Sequence, residues 1–156
     1  MRGDARVIEL LNDVLTAELT AINQYFIHAK MCESWGYERQ AEYVRHESID
    51  EMKHADQIID RILFLDGVPN MQRLFPVKVG ETVPEQLEVD LALELTALLR
   101  LNDGIALCVS VGDNTTRSLL EGILVSEEDH VDWLEAQLEL IRQVGEQNYL
   151  AQQVHG

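Results

Sequence analysis

The sequence has little of what breaks a helix. Of its 156 residues only 3 are proline and 9 glycine, and these cluster. Pro69 and Pro76 share one irregular segment, and Pro84 opens the run that follows it. Long uninterrupted stretches remain, which predicts an all-helical protein. Cysteine is scarce as well. Cys32 and Cys108 lie far apart with no CxxC spacing, so neither a disulfide scaffold nor a zinc ribbon is expected. Both read as buried apolar thiols in a reducing compartment. Basic residues are few, 12 against 28 acids, for a formal net charge of -16. Such a chain repels nucleic acid and anionic membranes and attracts cations. Most of the acids read as a solvated surface. No apolar run approaches membrane-spanning length, and MRGDARVIEL has no apolar h-region of a signal peptide. A cytoplasmic location is expected.

Hydrophobic residues make up 46%, and the length suits one domain over 1–156 with a real core. Asp4 is a natural N-cap for a helix from Ala5 to Trp35, stopped at Gly36. A second helix is expected from Glu38 to Asp66, ended by Gly67, Pro69 and Asn70. Thr82 and Glu85 around Pro84 make a capping box for a third, running to Val111. Gly112-Asp113-Asn114 reads as a turn, and a fourth helix follows from Thr115 to Val144, stopped at Gly145. A short fifth spans Glu146 to Gln153. Each long helix extends roughly 40–45 Å at about 1.5 Å per residue. Short links after the first and third helices make antiparallel hairpins. The middle link, 67–83, is long enough to run the length of a bundle. Two hairpins joined by one long crossover describe a ferritin-like four-helix bundle.

Each long helix has an apolar stripe at steps of three and four, and each stripe is interrupted. Glu18 breaks the first; Glu51 and His54 the second; Glu94 the third; Glu127 and His130 the fourth. The interruptions repeat. Glu18 to Glu51 is 33 residues, and so is Glu94 to Glu127. Each second glutamate begins an ExxH, EMKH at 51–54 and EEDH at 127–130. The i, i+3 spacing sets glutamate and histidine side by side on one helix face. One ExxH alone reads more often as an exposed acid beside a satisfied histidine. Two copies with matched upstream glutamates reverse that preference. Four inward carboxylates without counterions repel one another and must take up protons or leave the core. The nearest cations, Arg45 and Lys53, lie off the stripe. Two divalent ions bring +4 against the -4 of the four carboxylates, and two neutral imidazoles complete the shells. Such oxygen-rich ligation with two imidazoles suits iron or manganese better than zinc or calcium. Glu51 and Glu127 are expected to bridge, Glu18 and Glu94 to bind terminally. A ferrous pair there can give two electrons to O2 or peroxide.

The stretches LNDVLTAELTAINQYFIHAKM, HESIDEMKHAD, RILFLDGVPN, SEEDHVDWLEAQLELI and NYLAQQ make the whole chain similar to bacterioferritin. That resemblance implies a hollow 24-subunit shell with ferroxidase activity, storing a ferric mineral. The family's di-iron ligands fall on Glu18, Glu51, His54, Glu94, Glu127 and His130. It also implies that Met52, which by itself reads as core or interface filler, is the axial ligand of a b-type haem shared across a two-fold interface. The haem pocket would be lined by Leu19, Ile22, Asn23, Phe26, Ile49 and Met71. Thioether ligation favours ferrous haem and a raised potential. A small ferredoxin is the implied electron donor for iron release. His46 and Asp50, one turn apart, are candidates for an accessory iron site on the inner surface, or a solvated pair. Val44 stands where some relatives carry an acid, so an inner-surface relay is less complete here. Tyr25 and Trp133 read as packing aromatics, or as groups that hydrogen-bond near the centre or supply an electron. Asn148 and Gln152 would line a four-fold channel.

Two enzyme alternatives share the bundle. A rubrerythrin-like peroxidase usually needs two CxxC motifs, and the chain has neither. A haem-free bacterial ferritin differs at Met52. DNA-protecting dodecamers form a third class, with ligands between subunits and no paired ExxH.

Overall fold

In the computed structural model, which describes residues 1–155, the chain folds as four long helices and a short fifth. They are α1 (Ala5–Ser34), α2 (Glu38–Phe64), α3 (Val83–Val111), α4 (Asn114–Val144) and α5 (Glu146–Ala151). The expected all-α bundle with a long crossover and a C-terminal fifth helix is the fold observed. Boundaries differ by one or two residues, because helix ends fray and caps count as half-helical. Trp35 and Leu65 are C-caps rather than helical residues, and Gln152 caps α5 ahead of the expected end.

The caps explain where the helices start and stop. The Asp4 carboxylate accepts the Arg6 N–H at 2.8 Å. Thr82 Oγ1 accepts the Glu85 N–H at 3.2 Å, and Glu85 reaches back to the Glu81 N–H at 2.9 Å. The Asp113 carboxylate accepts the Thr116 N–H at 3.0 Å. Gly112 takes φ 75°, a left-handed conformation that glycine adopts without strain, and α3 turns directly into α4.

The crossover, 66–82, is pinned to one face of α1. Asn12, Thr20, Gln24 and His28 are spaced by multiples of four and therefore share that face. They accept backbone N–H groups in register with the passing chain. Asn70 donates to Asn12 Oδ1 at 2.8 Å, Phe75 to Thr20 Oγ1 at 3.0 Å, Lys78 to Gln24 Oε1 at 3.0 Å and Gly80 to His28 Nε2 at 3.0 Å. These bonds satisfy a segment with no ladder of its own. Gly80 has no room for a side chain, since a Cβ would lie 2.4 Å from the Gln86 nitrogen.

The core is layered along the bundle axis. One apolar cluster gathers Leu11, Leu15, Ile58, Ile62, Leu101, Leu120 and Ile123. A second, toward the other end, holds Cys32, Leu87, Leu134 and Tyr149. Fully burying each such leucine or isoleucine contributes about 1.5–3 kcal/mol. On every long helix a glutamate falls between residues of these clusters, so four carboxylates occupy one buried layer.

Candidate metal centre

The buried layer brings all six expected side chains together. Glu18, Glu51, His54, Glu94, Glu127 and His130 are all buried. Their donor atoms form two overlapping groups. Glu18, Glu51, His54 and Glu127 converge within 4.8 Å of one another, and so do Glu51, Glu94 and His130. Glu51 belongs to both. Glu127 closes the other side, 3.2 Å from His54 Nδ1. The two halves of the chain thus contribute equivalent trios that face each other across the axis.

Hydrogen bonding marks this layer as incomplete. Glu18 Oε2, Glu51 Oε2, His54 Nδ1, Glu94 Oε2, Glu127 Oε1 and His130 Nδ1 are buried without a hydrogen-bond partner. A buried polar atom left so costs about 1–3 kcal/mol, and all six lie in the ligand cluster. Both histidines turn an unpartnered Nδ1 into the cluster. A pair of divalent cations fits this donor set: four carboxylates neutralise it, and two imidazoles supply nitrogen.

Electrostatics agree with the geometry. Burial raises the proton affinity of Glu18, Glu94 and Glu127, and for Glu94 and Glu127 a neighbouring carboxylate adds to it. Burial alone would push His54 down, but Glu127 and Glu18 overcome it and hold its imidazolium up to about 10. His130 is raised in the same way, chiefly by Glu94 against the effect of burial. Without cations the cluster therefore holds protons that metal binding must displace.

Surrounding residues fall into place unevenly. Tyr25 donates its hydroxyl to Glu94 and stands edge-on to the His130 ring, with centroids 5.1 Å apart. Trp133 stacks on Tyr43 at 3.8 Å and 14° and lies 6.3 Å from His130. His46 and Asp50 approach to 3.7 Å at the surface. Val44 is buried. Asn148 and Gln152 line a cavity of ≈ 880 Å³ between α2, α4 and α5, together with Tyr43, His46 and Trp133.

Met52 points away from the centre and is 54% exposed. Phe26, Ile49 and Met71 are exposed as well, Leu19 and Ile22 are half-buried, and Asn23 is exposed. These seven side chains lie on α1, α2 and the crossover, and six of the seven are apolar. An open thioether among such side chains fits an axial ligand completed by a second copy.

Sequence reasoning missed three residues. Arg100 is half-buried on α3 and lowers the proton affinity of Glu18, six residues beyond Glu94 where no stripe pointed to it. Glu47 lies on the apolar stripe of α2, a signal that could have found it, and its carboxylate is 3.4 Å from His130 Nδ1. Asp90, buried on α3, pairs with His28 at 3.0 Å, a contact that no local pattern predicts.

Comparison with known proteins is consistent from end to end. The ferritin-like domain family matches residues 8–144. The bacterioferritin of Mycolicibacterium paratuberculosis is 53% identical over 97% of this chain and 96% of its own length. That of Mycobacterium leprae is 54% identical over the same shares. The chain belongs to the bacterioferritin family. Brucella melitensis bacterioferritin is also similar, 44% identical over 96% of this chain and 92% of its own. Among the described residues no helix is long and apolar enough to cross a membrane, as expected of this bacterioferritin family member.

Proposed function

We propose that this chain stores and detoxifies iron, oxidising Fe²⁺ to Fe³⁺ in the buried glutamate–histidine layer. The observation that carries this reading is the convergence of all six unpartnered buried polar atoms on one cluster. Ferrous ions are the substrate. The acidic chain draws them in, and Glu18, Glu51, His54, Glu94, Glu127 and His130 hold two of them about one bridge apart. Each ferrous ion gives one electron, so a pair supplies the two electrons that O2 or peroxide takes up. The glutamates release their protons as the cations bind, and Tyr25 keeps Glu94 oriented through its hydroxyl. The apolar clusters on either side exclude bulk water from the layer. The ferric product then collects inside a homo-oligomeric shell of about 24 chains, as in ferritin-like assemblies, in the cytoplasm.

Met52 would hold a haem b with the Met52 of a second copy, bordered by Leu19, Ile22, Asn23, Phe26, Ile49 and Met71. Bound haem would supply one-electron transfer for iron release, with a small ferredoxin as donor. His46 and Asp50 are an accessory iron site on this reading.

The test is anaerobic Fe²⁺ titration of the assembled particle followed by oxidant, read optically. About two Fe²⁺ per chain should oxidise in a fast phase before slower mineral growth. A single slow phase with no saturable step would sink the proposal.

A further inference from the structure

A seventh carboxylate stands at the edge of the ligand cluster. Glu47 is one turn before Glu51 on α2, and it lies 3.4 Å from His130 Nδ1. The same nitrogen is 3.5 Å from Glu94 on α3. His130 is only 5% exposed, and Nδ1 has no hydrogen-bond partner. One buried, unpartnered imidazole nitrogen therefore faces carboxylates on two different helices. The Glu94 direction belongs to the convergent cluster, whereas the Glu47 direction leads out of it.

Exposure varies among the acidic and histidine side chains of this stretch of α2. Side-chain exposure on α2 climbs from 2% at Glu51 to 13% at Glu47, 31% at Asp50 and 65% at His46. The Tyr43 hydroxyl faces Glu47, and the Tyr43–Trp133 stack walls that side. Beyond the wall opens the ≈ 880 Å³ cavity, whose lining includes Tyr43, His46 and Trp133. Glu47 thus borders the buried cluster through His130 and, through Tyr43, a residue that lines the cavity.

We propose that Glu47 and His130 Nδ1 form a second position for the cation nearest His130, a stepping site between the buried pair and the cavity. The proposal rests on the dinuclear reading of the cluster. In the step one carboxylate ligand, Glu94, is exchanged for another, Glu47, while the imidazole stays bound. The ligand set keeps its charge, no electron moves, and the cation never crosses apolar surface without an anionic partner.

Cobalt(II) alone is a suitable probe, because its bound absorption can be followed while excess chelator extracts it. Assembled wild-type protein should bind a pair of Co²⁺ per chain and release one of them faster than the other. Glu47→Gln keeps the side chain's shape and loses its charge. It should still bind the pair, but the fast release should slow roughly tenfold, the scale of lost groups bordering a metal. Glu47→Asp, which retains a shorter carboxylate, should fall between. Crystals soaked in Co²⁺ should show partial anomalous density between Glu47 and His130, absent from Glu47→Gln. Equal release rates in wild type and Glu47→Gln, with the pair still bound, would overturn the stepping site alone. A wild-type particle that binds no pair would overturn the dinuclear reading instead.

Discussion

α1 buries two polar clusters little more than two turns apart, and they differ in kind. At Gln24 and His28 every polar atom is matched. Gln24 Nε2 donates to Asp90 at 2.8 Å, and His28 Nδ1 stands 3.0 Å from the same carboxylate. His28 Nε2 accepts the Gly80 N–H, so the ring is neutral with its proton on Nδ1. Gln86 completes the set by donating to the Gly80 carbonyl at 3.2 Å. At Glu18 and its partners, six atoms have no match. The lesson is that burial of charge does not identify a site. Unsatisfied burial does: one cluster is a finished joint that fastens the crossover, the other is a set of candidate ligands.

Removing members should separate the two. Glu94→Ala should lower rapid Fe²⁺ oxidation by about a hundredfold or more while the shell still assembles, read by stopped flow and gel filtration. Unchanged oxidation would place the chemistry elsewhere. Asp90→Ala should do the reverse. It strands Gln24 and His28, costs roughly 3–5 kcal/mol in denaturant midpoint, and leaves the stoichiometry of bound metal unaltered. Glu94→Gln sharpens the contrast further: by removing a carboxyl that the metal-free cluster must keep protonated it should stabilise the metal-free protein by about 1–3 kcal/mol. A loss of stability there would mean the cluster is satisfied after all.

The pH dependence distinguishes them next. The buried glutamates have raised proton affinity, so the folded metal-free chain holds protons that the unfolded chain has released. Stability therefore falls as pH rises above the ordinary carboxylate range, roughly pH 4. His54, held up to about 10, contributes stability that is full below the ordinary imidazole range and lost as pH rises through that value. Both contributions have the same sign. The metal-free melting temperature should fall from about pH 4 to about pH 10, the range in which the folded chain holds protons that the unfolded chain has released. Divalent cations should abolish the fall, and their affinity should weaken toward acid as protons compete for the ligands. Calorimetry with and without Co²⁺ checks both. The smallest effect is expected outside both clusters. Met52→Leu at a 54% exposed position should change stability by less than about 0.5 kcal/mol while removing the b-type haem spectrum from the particle. A retained spectrum would free Met52 from that role.

How far the sequence could be read follows from the range of each interaction. Helix starts at Asp4 and Thr82 were legible because a cap acts within three residues. The crossover was legible as irregular from Gly67, Pro69 and Pro76, but its fastening was not. Asn12, Thr20, Gln24 and His28 resemble any polar face until a segment more than fifty residues away lies across them. Arg100 was overlooked for the same reason, since its partner sits on another helix, whereas Glu47 interrupts the α2 stripe and could have been found.

What the sequence determined alone is periodic and local: four amphipathic helices, their caps, and the doubled Glu-then-ExxH that puts four glutamates and two histidines on inward faces. Steps of three and four along a helix settle that much before anything packs. Which nitrogen of His130 faces which carboxylate, whether a buried acid is satisfied or orphaned, and where the closed layer opens toward a cavity were decided only when the helices met. Those properties belong to distances between chain segments, and no spacing within one segment encodes them.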